Sequence, residues 1–432
     1  MNAVLTKIEN TLWGYGALPL IIVLGTWFSV WLKFPQISKL PPAIRSFVQS
    51  MFEEEQTGAP KRGISPLKAF FTSIGGCIGI ANLVTVCSAI KVGGPGAVFW
   101  MWVAAFLGMV IKYSEVYLGI KFRVKNSTGS YDGGPMFYLQ KLFDNQAIPV
   151  LFALLLAFYG TEIYLFSLIV DTVEVNWGTN KYMTIFLLLG LVLYAVRGGV
   201  ERVGKISSFM VPLFMTIYLS MCVWILYQNS AQILPTFKLI LQSAFTGHAA
   251  VGGFTGSTVL LSMSQGMARG CYSGDIGIGY AAIVHAESSH ADPENQPNLS
   301  ILGIYLDTFL ICTFTTLIVL VTNMWSQECT ASMMTQMTLS QYFPYMSLFM
   351  PLFLFIVGYS TIIAYFVVGL KCVKFLSPKW GTKIYYMYGI ISFCLFSFVD
   401  ADIVIKVMAI CNALLLFCNV YGIYKLREEL PR

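Results

Sequence analysis

Charge is what this sequence has least of. Only 11% of its 432 residues are Asp, Glu, Lys or Arg, against 56% hydrophobic residues and a mean hydropathy of +0.70. That balance excludes an ordinary soluble domain and leaves a polytopic membrane protein. A phosphate-binding loop of the G-x-x-x-x-G-K-[S/T] type is missing, which disfavours ATP-driven transport. H-E-x-x-H, G-x-S-x-G and paired intramembrane aspartates are missing too, so an intramembrane enzyme would have no nucleophile–base pair or metal cluster. No enzyme is expected. The ten cysteines lack zinc-type spacing, and all but Cys329 fall in or beside apolar segments, as small buried hydrophobes do. The net charge of +6 is not gathered into a face or tail. Nucleic acid is therefore not an expected partner, and no obligate protein partner is evident. Before the first apolar run there is only Lys7, and no small-x-small cleavage site, so that run predicts a retained span and not a secretory signal.

Against these absences stand two glycine-dense stretches, Gly75-Gly76-Cys77-Ile78-Gly79 and Gly252-Gly253-Phe254-Thr255-Gly256. Glycine inside a helix costs about 1 kcal/mol relative to alanine. In hydrocarbon a broken helix is tolerated only where protein buries it or where it lines a cavity. Two interrupted segments at matching places in two halves of a chain point to a transporter's binding site. Each stretch is also small-xxx-small, which by itself lets two helices pack closely.

Topology separates the two readings. Apolar runs long enough to span a bilayer, about 20 residues each, lie near 13–34, 66–92, 96–122, 149–173, 181–197, 206–228, 246–269, 298–323, 346–370, 384–399 and 402–424. The first is read as an extra helix and the other ten as core helices one to ten. Twenty-one of the 27 basic residues fall on alternate loops, among them Lys33 to Lys68, Lys121 to Lys141, Arg197 to Lys205, Lys371 to Lys383 and the C-terminal tail. Loops rich in Lys and Arg stay on the cytoplasmic side. Eleven spans are expected, with the N-terminus outside and the C-terminus inside. Core helices one and six then run antiparallel, five spans apart, and each carries a glycine break. An inverted repeat of five helices plus five requires that relation; close packing does not. The expected division is 1–34 for the N-terminal segment and extra helix, 35–65 for a cytoplasmic loop, 66–228 for the first repeat, and 229–432 for the second repeat and tail.

Several blocks carry a family resemblance. They include Gly79-Ile80-Ala81-Asn82, Gly93-Gly94-Pro95-Gly96-Ala97 with Trp100-Met101-Trp102, Gly133-Gly134-Pro135, Val251 to Thr258, Ala268-Arg269-Gly270, Asp307-Thr308, Tyr359-Ser360-Thr361 and Met408 to Asn412. In this order, over nearly the whole chain, they resemble the sodium:alanine symporter family (alanine or glycine:cation symporters). The resemblance implies an all-α, leucine-transporter-type 5+5 inverted repeat with helices one and six unwound at mid-membrane. It also implies alternating-access symport of a small neutral amino acid with sodium, without any other cofactor, in a plasma membrane such as a bacterial inner membrane. Proton coupling, an altered specificity, or a sensor or scaffold that has lost turnover are the alternatives.

Half-helix ends supply the chemistry such cargo needs. Free N–H groups face a carboxylate, unwound carbonyls face an ammonium, and glycine lets the backbone approach. The expected substrate site is Gly79, Asn82, Gly252, Gly253 and Phe254, with Tyr164, Thr361 and Tyr365 implied by the resemblance. Superfamily analogy further implies a sodium site from the carbonyls of Gly75, Ile78 and Val357 and the hydroxyls of Ser360 and Thr361. An adjacent Ser-Thr in an apolar helix also bonds its own i−4 carbonyl. The chain departs from the family pattern at Ile80-Ala81 (Thr-Gly), Tyr164 (Gln), Tyr365 (Trp), Ser273 to Gly277 (Ser-Asn-Glu-Ala-Gly) and Leu370 (Glu). Three of these changes touch the pocket and bear on which amino acid it takes.

Ionisable residues inside spans are functional candidates. Lys112 and Glu115, three apart, are expected to pair. Glu162 is expected mid-helix, in a buried polar pairing or a proton-linked role, and it faces away from Tyr164 by about 200°. His248 is read at the outer mouth of helix six, with His285 and His290 in a polar inner loop.

Overall fold

The computed structural model describes residues 2–57, 63–126, 129–246, 259–289 and 294–431. In chain order, α1 (Asn2–Trp31) leads into α2 (Leu40–Thr57). Two halves of one apolar segment follow, α3 (Pro66–Cys77) and α4 (Ile80–Gly93), set at 47° to each other. Next come α5 (Ala97–Lys121), a hairpin of β1 (Val124–Lys125) and β2 (Tyr131–Asp132), and the short α6 (Pro135–Leu142). The first half closes with α7 (Ala147–Tyr159), α8 (Ile163–Trp177), α9 (Lys181–Val196) and α10 (Gly199–Gln228). The second holds α11 (Ser230–Thr246), α12 (Val259–Ser273), α13 (Tyr280–Ala286), α14 (Asn295–Val321), α15 (Ala331–Ser340), α16 (Met346–Leu376), α17 (Gly381–Phe396) and α18 (Ala401–Lys425).

Among the described residues, seven helices are long and apolar enough to cross a membrane, or eight if α3 and α4 form one broken span. The α7–α8 pair is one of the seven, and α9 is apolar but shorter. The chain is thus a multi-pass helical membrane protein.

Two helices form the centre. α5 is buried on every side from Gly108 to Ile120, and α16 from Val357 to Leu370. A helix apolar all round is one that other helices enclose. Packed against these pillars are α3, on α16 and α13, and α12 and α13, both on α5. Close approach depends on glycine. A Cβ on Gly76 would run into the ring of Tyr280, whose hydroxyl donates to Thr72 O at 2.7 Å.

Three local features set up the site. The Ser65 hydroxyl caps α3, accepting from Lys68 N at 3.2 Å, with Pro66 in the first turn where its missing N–H costs nothing. α3 then ends at Ile78, which turns extended (ψ 93°) before the chain restarts at Ile80. Near the middle of α14 the helix widens into a π turn over Tyr305–Cys312, a form frequent at functional positions.

Candidate functional site

The first expected break is where the sequence puts it: α3 and α4 part at Ile78-Gly79. The second expected break, Gly252 to Gly256, and His248 lie outside the described residues. The described interruption in that part of the chain comes later, between α12 and α13. There Asp275, Gly277 and Gly279 have φ of 51°, 72° and 77°, the left-handed region that glycine enters most freely. Of the expected span 246–269, the described helix covers Val259 onward; it continues past the expected end to Ser273, and the chain resumes as α13 beyond the gap.

Lys112 and Glu115 do not form the expected pair. Lys112 Nζ donates to Gly274 O at 2.8 Å and to Cys77 Sγ at 3.0 Å. Glu115 Oε2 accepts from Gly279 N at 3.0 Å and from Asn419 Nδ2 at 2.7 Å. The ammonium therefore meets a carbonyl at the C-terminal end of α12, and the carboxylate meets the amide that opens α13. Each charge matches the sign of the helix end it faces. His285 is likewise not in a polar loop. It is fully buried in α13, with Nδ1 hydrogen-bonded to Gln296 Oε1.

Between the breaks lies a small hollow of about 10 Å³, room for one water-sized molecule. Gly76, Cys77, Gly79 and Ala81 come to it from α3 and α4, Tyr272 and Asp275 from the second break, Thr361 and Tyr365 from α16, and Tyr159, Glu162 and Leu165 from the α7–α8 joint. Asp275 is fully engaged. Its Oδ2 accepts from the Cys77 thiol at 3.0 Å, and its Oδ1 accepts from the Tyr365 hydroxyl. Tyr365 stacks on Tyr280 at 4.1 Å between ring centroids and meets Tyr159 edge-on at 5.5 Å. Glu162 sits not within a helix but at the joint itself, in a left-handed conformation (φ 48°, ψ 47°).

Of the expected substrate residues, Gly79, Thr361 and Tyr365 line the hollow. Tyr164 is buried but off the lining. Asn82 is off it as well. Its Oδ1 accepts from Gly79 N at 2.8 Å, and its Nδ2 donates to Asp307 Oδ1 at 2.6 Å and to Ser273 Oγ at 3.3 Å. It joins the restart of the first broken helix to the end of α12 and to the π turn of α14.

The expected sodium ligands gather on the α3 side. Thr361 Oγ1 donates to Gly75 O at 2.9 Å and shares that proton with Val357 O, its own i−4 carbonyl, at 3.0 Å. Ser360 Oγ is 2.9 Å from Ser207 Oγ of α10. A Cβ on Gly75 would stand 2.6 Å from Ser360 Oγ and 2.7 Å from Ser207 Oγ, so only glycine lets the hydroxyls come this close. Ile78 is fully buried where α3 unwinds. Carbonyl and hydroxyl oxygens are what a hard cation takes. Ser207 was not read as a ligand from the sequence; a serine on a long apolar helix carries no local mark.

Beyond α13 an ionic network ties the β-hairpin and the end of α13 to α16. Lys371 bonds Glu287 and, at 2.9 Å, Asp132 Oδ1, while Arg123 donates to Ala286 O at 3.0 Å and Ser288 O at 2.7 Å. Burial raises the Glu287 carboxyl above the usual range, and the Lys371 ammonium pulls it back.

The sequence model of the sodium:alanine symporter family matches residues 1–431. The chain belongs to the sodium:alanine symporter family. A relative from Haemophilus influenzae, described only as an uncharacterized transporter, is 30% identical over 99% of this chain and 94% of its own length. The sodium/alanine symporter AgcS of Methanococcus maripaludis is 29% identical over 89% of this chain and 85% of its own. Among solved structures, a Na+-coupled sialic acid symporter in an outward-open state superposes with TM-score 0.60 at 12% identity, covering 96% of this chain and 87% of that one. MhsT in complex with L-phenylalanine gives TM-score 0.61 at 12% identity, covering 83% and 88%. At such identity the likeness is one of fold, and it is the leucine-transporter-type fold. Membership in the family places the chain among sodium-coupled amino acid symporters.

Proposed function

We propose that this member of the sodium:alanine symporter family carries a small neutral amino acid of the alanine or glycine kind together with sodium, by alternating access around the hollow between its two interrupted helices. The observation that carries the reading is the meeting of those breaks at one buried point, with Gly79 from the first and Asp275 from the second on the same lining. Unpaired backbone groups at helix ends serve both charges of an amino acid zwitterion. Sodium would be held by Gly75, Ile78, Val357, Ser360 and Thr361, and substrate by Gly79, Thr361 and Tyr365. Asn82 would act through the backbone that it fixes. Gly252, Gly253 and Phe254 are proposed on the sequence alone, and so is Tyr164. Eleven spans, an outside N-terminus, repeats over 66–228 and 229–432, and residence in a bacterial inner membrane complete the proposal.

Alternating access needs a site that each side reaches in turn, and binding energy can shift only an equilibrium that already exists. Ion binding beside Gly75 and Thr361 would favour the state open to substrate. The test is uptake of labelled alanine or glycine into proteoliposomes under an inward sodium gradient. Accumulation that collapses when sodium is equalised supports the proposal; binding without accumulation, or uptake indifferent to sodium, refutes it.

A further inference from the structure

We propose that Glu162 is a specificity-determining residue, and that it makes the hollow prefer amino acids whose side chain carries a hydrogen-bond donor over apolar ones of the same shape. This rests on the reading of the hollow as the amino acid site.

The second carboxyl on the hollow carries the inference. Asp275 has partners on both oxygens, Cys77 and Tyr365, while Lys112 holds Cys77 and Gly274 beside it. Glu162 is arranged otherwise. It is 2% exposed, it lines the hollow, and its Oε2 accepts no hydrogen bond from the described residues. Among those residues no lysine, arginine or histidine forms an ion pair with it, for Arg269, the cation of α12, is taken by Glu9 at 3.2 Å. A buried acceptor without a donor is costly, and an uncompensated carboxylate more so.

The backbone holds this group in place. Glu162 occupies the left-handed region at the α7–α8 joint, a conformation that persists only where surroundings impose it. The Tyr272 hydroxyl, also on the hollow, is the group that faces this carboxyl, without the geometry of a full hydrogen bond. One wall therefore offers an acceptor that is only weakly met. An alanine side chain would leave it so. A hydroxyl or amide N–H on the cargo would donate to the Glu162 carboxyl, and a site built around such a bond rejects the analogue that lacks it.

Isosteric pairs test this on the intact protein: L-serine against L-2-aminobutyrate, L-threonine against L-valine, and L-asparagine against L-leucine. Each is titrated by thermal shift in detergent with sodium present, and each is used to compete with uptake in proteoliposomes. In wild type, at least one donor-bearing member should bind about fivefold or more tightly than its partner, the usual worth of a buried hydrogen bond. Glu162→Met, close in size and unable to accept, should bring that ratio near one, while Glu162→Gln keeps part of it through its carbonyl. Three results would overturn the proposal. The first is ratios near or below one in wild type, which needs no variant to fold. The second is a donor preference unchanged in Glu162→Met. The third is an effect of both variants on sodium affinity or on the pH profile with ratios intact, which gives Glu162 to the coupled ion. If no amino acid binds in any arm, the amino acid reading of the hollow fails as well. Binding of alanine with ratios near one fails this inference alone.

Discussion

Lys112 and Glu115 stand one turn apart on α5 and hold opposite edges of one gap. The ammonium bonds Gly274 O at 2.8 Å, where α12 ends, and the carboxylate takes Gly279 N at 3.0 Å, where α13 begins. A helix cut inside a membrane exposes carbonyls on one side of the cut and amides on the other, and neither finds water. Here a single helix supplies both counter-groups.

The contributions of the two should not be independent. Lys112→Met leaves Gly274 O and Asp275 without their cation, and a loss of about 3–5 kcal/mol is expected for breaking a buried charged contact. Glu115→Gln should cost less, since an amide oxygen still accepts from Gly279 N. The double variant should depart from additivity by at least about 0.5 kcal/mol, as coupled neighbours do. Thermal or denaturant unfolding of the four proteins in one detergent gives the cycle, and strict additivity would falsify a shared gap.

Glycine at 75 is a matter of distance. Gly75→Ala would put a methyl 2.6 Å from Ser360 Oγ and 2.7 Å from Ser207 Oγ, forcing the hydroxyls apart. Sodium-dependent uptake should fall to background. Gly190→Ala is the control, because nothing lies within 4 Å of the added carbon in α9. It should leave uptake intact and stabilise by up to about 1 kcal/mol through helix propensity. Equal behaviour of the two variants would remove the crowding at Gly75 as the cause.

Thr361 tests the ion site separately. A bound ligand stabilises by RT ln(1 + [L]/Kd), about 2.7 kcal/mol at a hundred times Kd. Wild type should gain thermal stability when sodium replaces a large organic cation at constant ionic strength. Thr361→Val removes the hydroxyl that spans Gly75 O and Val357 O and should abolish the gain, while Thr361→Ser should keep most of it. A full sodium response in Thr361→Val would place the ion elsewhere.

The N-terminal helix is tied to α12 by one buried pair, Glu9 to Arg269 at 3.2 Å, with both side chains under a tenth exposed. Glu9→Ala should destabilise by about 3 kcal/mol or more, since it strands a buried guanidinium. Lys39 and Glu294 form an exposed pair at 3.6 Å, and Glu294→Ala should cost less than about 1 kcal/mol. Unfolding in detergent would rank the two, and equal losses would contradict the difference in burial.

Much of the architecture is legible without coordinates because lipid leaves the chain few choices. A segment apolar for about 20 residues has to satisfy its own backbone, so α5, α10 and α16 follow from hydropathy. The break at Ile78-Gly79 follows from glycine density in an apolar run. The same signal recurs at Gly274, Gly277 and Gly279, yet Arg269 and Asp275 dilute the apolar pattern there, and the stretch reads as a loop. Spacing of three on a helix likewise makes Lys112 and Glu115 look like partners. That rule assumes no better acceptor nearby, and here each finds a helix end.

By itself, then, the sequence determined that this chain lives in a membrane, to which family it belongs, and that one of its helices must come apart at Gly79. Only the tertiary structure decided which groups meet the exposed ends. Gly274 and Gly279 find their partners on α5, more than 160 residues earlier, and Gly75 finds its hydroxyl on α16, 286 residues later. The physical reason is that hydropathy and propensity are properties of neighbours along a chain. A buried charge or an orphaned carbonyl is satisfied by whatever packing brings within about 3 Å, and no local pattern records that.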